Sequence, residues 1–254
     1  MEGFEGSYSY PQDPTARPTH PLLSPENPYF PTRLQVSSIE CTDYSQTPFL
    51  LDLTVKTASV ETITDVDVAC RTSDQIRALG SFLHVVGRRI KKITVDIVKL
   101  SPEYHSNLTF SDNLQAFNLS ACTTLTELTL RVDLLPYRKD MNLIAFKAAS
   151  TFLSVTSTTV HTVILEIRIG EATHSWRDRD VLHYLHRIRE SAASAFIHFQ
   201  SVIKQREGIR RLCIRWGDLP QTTLDTNLIE RMDLFAQRQL SELDAKGVLC
   251  FESI

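Results

Sequence analysis

The feature of this chain that most limits its fold is an eight-residue frame that recurs along it. The frame has apolar residues at its first, fourth, sixth and eighth positions, as in "LTELTLRV" at residues 125–132. It recurs as "IKKITVDI" at 90–97, "VHTVILEI" at 160–167 and "IRRLCIRW" at 209–216. Alternation of this kind is typical of a β-strand with one buried face. The copies begin 35, 35 and 49 residues apart, which predicts a repeated structural unit.

Helical patterns separate these copies. Apolar residues that recur at intervals of three and four, the period of a helix with one buried side, predict helices over residues 73–89, 140–155, 178–207 and 227–240. Pro48 suits the first turn of a helix and predicts another over 47–58. Further strands are predicted over residues 33–40, 60–70 and 247–253. A repeated strand-then-helix unit predicts parallel strands with helices packed behind them.

Two α/β architectures fit this order: an open solenoid, and a closed or doubly wound enzyme fold. The chain has only eight glycines, and none forms a phosphate-cradling loop directly after a strand, as nucleotide-binding α/β enzymes require. Solenoids need no such loop. We therefore predict that residues 33–254 form an open α/β solenoid, with a parallel sheet backed by helices and consecutive strands as neighbours.

Residues 1–32 differ in character from the rest of the chain, because they hold seven of its eleven prolines. Such a segment favours extended structure and cannot build a core by itself. We predict a disordered tail here. A ligand for SH3-type domains is the alternative, but the prolines lack an accompanying pattern of basic residues. The segment also lacks the apolar stretch of a signal peptide.

The composition excludes several functional classes. With 27 basic and 30 acidic residues the net charge is −3, so no strong field favours nucleic acid or an anionic membrane. No apolar run is long enough to cross a bilayer. Five cysteines, at 41, 70, 122, 213 and 250, form no C-x-x-C pair and are expected to be reduced, mostly buried thiols. We predict a cytoplasmic or nuclear protein.

The frame and its flanks resemble the degenerate leucine-rich repeats of fungal F-box-type proteins. The resemblance rests on "QIRALGSFLHVVGRRIKKITVDI" at 75–97, "NLSACTTLTELTLRV" at 118–132 and "LSELDAKGVLCF" at 240–251. It covers residues 33–254 and implies a leucine-rich-repeat fold that binds a protein partner. In that family an N-terminal F-box docks on the adaptor of a cullin ubiquitin ligase, and the repeats hold the substrate.

The F-box itself is not recognisable in this sequence. Residues 1–32 lack the leucine-proline start and the long helical run of apolar residues that an F-box needs. The resemblance therefore implies the substrate-recognition half alone, with a protein partner and a cullin-ligase adaptor as a second candidate partner. A stand-alone repeat protein, unconnected with ubiquitination, is the alternative.

Stacking the four strands in register predicts a binding face. Their seventh positions alternate in charge, and opposite charges on adjacent strands stabilise a sheet. Their fifth positions, which include Cys213, form a less polar column. The predicted protein-binding strand face comprises Thr94, Asp96, Thr129, Arg131, Ile164, Glu166 and Arg215. Alternatively, the charges merely solvate the sheet. Because exposed charges contribute little to stability, Arg131→Glu is expected to weaken partner binding and leave folding nearly intact.

Catalytic motifs are missing from the sequence: no G-x-S-x-G, H-E-x-x-H, phosphate-loop or dinucleotide motif occurs. The enzyme alternative is a small α/β hydrolase or metal enzyme that uses residues 174–186, where His183 and His186 share a helix face just after Asp178 and Asp180 and could hold zinc or iron. The same residues are also explained by an ordinary helix, in which Asp178 and Asp180 stabilise the positive N-terminal end of the helix dipole.

The basic clusters at 87–92 and 209–215 are interpreted as solvated surfaces. We predict no catalytic residue, no metal and no cofactor.

Overall fold

The computed structural model describes residues 31–41, 45–70, 73–96, 116–134, 139–169, 178–217 and 226–252. The predicted proline-rich tail at 1–32 lies almost wholly outside these residues, and its disorder stays a prediction. The described residues form an α/β structure with one parallel sheet.

Seven strands build the sheet, and each predicted strand is present. They are β1 (Ser38–Cys41), β2 (Asp65–Val68), β3 (Lys92–Asp96), β4 (Glu127–Leu134), β5 (Thr162–Ile169), β6 (Arg211–Gly217) and β7 (Leu249–Glu252). All neighbouring strands are parallel, and their order in space is their order in the chain. The prediction of a parallel sheet with consecutive strands as neighbours is therefore confirmed.

Helices lie between the strands of most successive pairs, and all five predicted helices are present. The helices are α1 (Thr47–Val55), α2 (Ser73–Val86), α3 (Lys139–Val155), α4 (Asp178–Lys204), α5 (Thr226–Gln239) and α6 (Ser241–Ala245). Short 3₁₀ turns lie at Ala58–Glu61, Gly87–Arg89 and Leu119–Ala121. As predicted, Pro48 lies in the first turn of α1, where its missing N–H costs no helical hydrogen bond.

The strand order determines where the helices lie. Connections between parallel strands are right-handed, and the order along this sheet never reverses, so successive crossovers place their helices on the same side. A doubly wound fold needs a reversal, so that alternative is wrong. In the described part of the chain β1 pairs only with β2 and β7 only with β6, which leaves the sheet with two edges. We call the side without the helices the open face.

The apolar positions of the frame form the core beneath the helices. In the copy at 125–132, Leu125, Leu128, Leu130 and Val132 are all completely buried. The phenylalanine rings of α3, α4 and α5 pack in sequence, since Phe146 contacts Phe196 and Phe196 contacts Phe235. Burial of these side chains supplies the main driving force for folding.

The structure extends the frame to two strands that the sequence pattern did not identify as copies. Val66 of β2 is the register partner of Ile93, and Ile39 of β1 is the partner of Val66. The equivalent first positions are therefore residues 36, 63 and 90, at intervals of 27. The repeat is thus shorter and more regular at this end of the sheet than between residues 90 and 209.

Candidate functional site

The seventh positions of the frame form one row across the open face. The row runs through Asp96, Arg131, Glu166 and Arg215 on β3 to β6, and Glu252 of β7 extends it. Parallel strands lie about 4.8 Å apart, so these side chains are close enough to interact. The predicted alignment of the first four residues is confirmed, and the alternation in charge continues onto β7.

Arg131 is the centre of a first ion-pair cluster. Its two terminal nitrogens donate to the carboxylate of Asp67 at 2.6 and 2.8 Å, and its Nε donates to Glu166 at 2.9 Å. Asp67 lies on β2, so the guanidinium reaches across β3. Burial alone lowers the pKa of Arg131, but the hydrogen bonds and negative charges of Asp67 and Glu166 outweigh burial and raise that pKa above its ordinary value.

Arg168 on β5 repeats this geometry further along the strands. Its Nη2 donates to Asp96 on β3 at 2.9 Å, and its Nε donates to Asp133 on β4 at 2.9 Å. Burial again lowers the pKa of the guanidinium, and the attraction of Asp96 and Asp133 more than offsets this and raises it. Arg131 on β4 and Arg168 on β5 thus each hold two carboxylates, which belong to two other strands.

A third cluster joins the row to the last strand. Arg215 donates to Glu252 at 2.7 Å and lies 3.9 Å from Glu166. Arg211 donates to the other carboxylate oxygen of Glu252 at 3.0 Å. Glu166 lies between Arg131 and Arg215, so a continuous series of ion pairs extends from β2 to β7.

The fifth positions form the predicted neighbouring column. Thr94, Thr129, Ile164 and Cys213 are register neighbours on β3 to β6. Thr129 and Ile164 are only 7% and 6% exposed, whereas Thr94 is partly exposed. The charged rows therefore provide more of the accessible surface of the open face than the fifth-position column does.

Five members of the three ion-pair clusters were not predicted as part of the strand face: Asp67, Asp133, Arg168, Arg211 and Glu252. Asp133 and Arg168 directly follow the eight-residue frame, at a ninth position, and were recognisable by extending it by one residue. Asp67 was recognisable from the 27-residue interval before residue 90. Glu252 was not recognised because the register of β7 places the first position of its frame at Lys246, which is not apolar.

The geometry corrects the expectation for Arg131→Glu. The Arg131 side chain is 23% exposed and bridges two carboxylates, so it is not a freely solvated charge. A glutamate at this position would face Asp67 and Glu166 with the same sign. The substitution would therefore disturb folding and cannot serve as a test of binding alone.

The cysteines also depart from expectation. Cys213 of β6 and Cys250 of β7 are register partners and form a disulfide, with their Cα atoms 4.7 Å apart, within the range that a disulfide can span. The prediction that all five thiols are reduced is therefore wrong for this pair.

Cys122 is completely buried, and burial raises the pKa of its thiol to about 12, so it is no nucleophile.

Metal-ligating groups converge at one place in the described residues: Cys213, Cys250 and Glu252 offer ligand atoms within 4.8 Å of one another. Both sulfurs are joined in the disulfide, and a metal would need them as thiolates. The segment at 174–186 lies partly outside the described residues. Its His186 is exposed on α4 and lies 3.3 Å from Glu190, an ordinary contact between successive helical turns.

The two basic clusters are balanced by acids. Arg89 pairs with Glu61, and Lys92 lies 3.4 Å from Glu127. Arg211 shares Glu252 with Arg215. These pairs agree with the interpretation of both clusters as solvated, charge-balanced surface.

On the open face, Arg131 and Arg168 hold the carboxylates of Asp67, Glu166, Asp96 and Asp133 in fixed positions as hydrogen-bond acceptors. Side chains that are ordered before a partner arrives lose less conformational entropy on binding.

None of the helices described is long and apolar enough to cross a membrane. The chain matches no protein-family model, and no curated protein is detectably similar to it in sequence.

Proposed function

We propose that this chain is a non-catalytic protein-binding domain of leucine-rich-repeat type, which holds its partner on the open face. The series of ion pairs from Asp67 to Glu252 carries the proposal. A sheet that only needed to be solvated could use isolated charges, but here each arginine is fixed by carboxylates of other strands. A partner would meet a preorganised polar surface along the sheet.

The repeat assignment is supported by the segment that leads into β4. Asn118 adopts a left-handed conformation with φ of 52° and is followed by a 3₁₀ turn. Leu119, Cys122 and Leu125 are then all buried. The leucine positions and Cys122 of the phrase at 118–132 thus face the core, as a leucine-rich repeat requires, and β4 enters the sheet from a compact turn.

The proposed role is similar to that of the substrate-recognition half of an F-box subunit. It requires no active site, and the carboxylates of Asp67, Glu166, Asp96 and Asp133 on the open face are held by Arg131 and Arg168. The ligase connection is tested separately from binding, since the open face can bind a protein whether or not an adaptor is also bound.

The face can be tested with a photo-crosslinking amino acid. We would place it at Thr94, which is partly exposed on the open face, and at Lys147, which is exposed on α3, on the helical side of the sheet. In native lysate we expect discrete protein adducts from position 94 and none from position 147. Adducts from both positions alike, or from position 147 alone, would refute binding through the open face.

The same eluates test the ligase role. Mass spectrometry would quantify the ligase adaptor and the cullin relative to the tagged chain in a pull-down. Near-stoichiometric recovery of both would support an F-box-like role. Recovery of a position-94 adduct without adaptor or cullin would leave the open face as a binding surface and reject the connection with ubiquitination.

A further inference from the structure

We propose that Cys250 and Cys213 form a thiol–disulfide exchange site for small thiols and disulfides of the glutathione class. The site lies at the β7 edge of the sheet and does not depend on the proposed binding function. The first observation is the register: the two cysteines occupy equivalent positions on adjacent strands. They can therefore form or break their bond without any shift of strand pairing.

The second observation is the difference in burial between the two sulfurs. Cys213 is completely buried, whereas Cys250 is partly exposed on the last strand of the described sheet. A dissolved thiol or disulfide can therefore reach Cys250 but not Cys213. Because of this difference in exposure, Cys250 is the cysteine that reacts with the external thiol or disulfide, and Cys213 is the resolving cysteine that then displaces it.

The third observation is the charge around Cys250. The Nε of Arg211 lies 3.3 Å from its sulfur, and a nearby guanidinium favours the reactive thiolate form of cysteine. Glu252 is also close to the sulfur, but Arg211 and Arg215 both hold its carboxylate. Arg211 is thus a cation in direct contact with the Cys250 sulfur, while the carboxylate of Glu252 is held by two guanidinium groups.

The reaction balances as two exchanges. The Cys250 thiolate attacks a sulfur of oxidised glutathione, forms a mixed disulfide and releases one glutathione thiolate. The Cys213 thiol then attacks the Cys250 sulfur, which forms the Cys213–Cys250 bond and expels the second glutathione, whose thiolate takes up the proton that Cys213 loses. The two cysteines lose two electrons and oxidised glutathione gains them. Excess reduced glutathione drives the same steps in reverse.

The first test uses the unmodified full-length chain. It would be equilibrated with mixtures of reduced and oxidised glutathione in the presence of a chelator, acid-quenched, alkylated and mapped by peptide mass spectrometry. We expect the Cys213–Cys250 disulfide to convert into two alkylated thiols as reduced glutathione increases, and to re-form when the mixture is reversed. A pair that stays oxidised in excess reduced glutathione, or stays reduced in oxidised glutathione, would overturn the proposal.

The second test separates the two roles. In Cys213→Ser we expect Cys250 to react with oxidised glutathione at least about tenfold faster than Cys213 reacts in Cys250→Ser, because exposure and a neighbouring cation control thiol reactivity. Arg211→Gln in the Cys213→Ser background should slow the reaction several-fold. Lys246→Gln, which removes an exposed cation near β7, is the matched control and should not slow it. Equal rates for the two cysteines would contradict the assignment.

Discussion

Among single residues, Arg131 and Lys92 show how far the value of an ion pair depends on its surroundings. Arg131 is 23% exposed and holds two carboxylates, whereas Lys92 is 56% exposed and lies 3.4 Å from Glu127. Removing Arg131 leaves two partly buried carboxylates without their cation. We expect Arg131→Ala to lower the free energy of unfolding by about 2 kcal/mol, and Lys92→Ala by less than about 0.5 kcal/mol. Urea denaturation followed by circular dichroism measures both, and equal losses would mean that the Arg131 cluster is no stronger than a surface pair.

Asp233 provides a pH-dependent prediction. Burial raises the pKa of this carboxyl group, although the hydrogen bond from the indole Nε1 of Trp216, at 2.7 Å, acts in the opposite direction. A carboxyl whose pKa is raised by folding stabilises the fold below its unfolded pKa, and this contribution is lost as the pH rises through its folded pKa. Asparagine keeps an acceptor for Trp216 and does not ionise.

The comparison is therefore between Asp233→Asn and the unchanged chain as the pH rises. We expect the variant to gain in melting temperature relative to the unchanged chain once the pH exceeds the folded pKa of Asp233, and to lose that advantage in acid. Glu230→Gln, at an exposed position of the same helix, should show no such trend. If the difference for Asp233→Asn did not change with pH, the carboxyl would not carry the burial cost assigned to it.

At the scale of elements, the contact between α2 and the segment before β4 leaves no room for a side chain. A Cβ added at Gly80 would lie 1.7 Å from the carbonyl oxygen of Ala116, which is far inside van der Waals contact. This clash can be relieved only if α2 or the backbone at Ala116 moves. We expect Gly80→Ala to cost about 3 kcal/mol of stability, the upper range for overpacking. Ser81→Ala, one residue further on the exposed side of α2, should be neutral or slightly stabilising. Thermal unfolding of the two variants distinguishes these outcomes.

The elements were predictable where one periodic pattern determines them. β3 to β6 follow from alternation because a strand with one buried face must place its apolar residues every second position. α2 and α3 follow from their apolar stripes. The repeat character of β1 and β2 was missed, since the 27-residue interval differs from the 35-residue interval that the clearer copies suggest.

The contacts within the candidate site were less predictable than its register. The sequence places Arg131 beside Asp96 and Glu166, but it cannot show that a long side chain reaches across β3 to Asp67. Side-chain reach depends on sheet twist and rotamers, which a pattern of residue types does not contain. The disulfide was missed for a different reason: the register of β7 is not marked by an apolar first position, so the pairing of Cys250 with Cys213 was not visible.

In the whole molecule, chain order and spatial order coincide along the sheet, so each strand with its helix packs mainly on the units before and after it. In such an array the stability is close to a sum of local and nearest-neighbour contributions, and opening begins at the ends. Leu243 in α6 and Phe146 in α3 are both buried. Leu243 lies at the β7 end, whereas Phe146 lies near the middle and packs against Phe196 and Phe199 of α4.

Hydrogen exchange of two core variants tests this one-dimensional organisation. Each truncation should cost about 3 kcal/mol, but the loss of protection should be distributed differently. We expect Leu243→Ala to raise exchange over residues 226–252 and to leave β3, β4, α3 and β5 (residues 92–96, 127–134, 139–155 and 162–169) protected. Phe146→Ala should raise exchange over both regions, because it breaks the array between its two halves. If Leu243→Ala lowered protection equally everywhere, the chain would unfold as a single cooperative unit, and the repeat architecture would not describe its energetics.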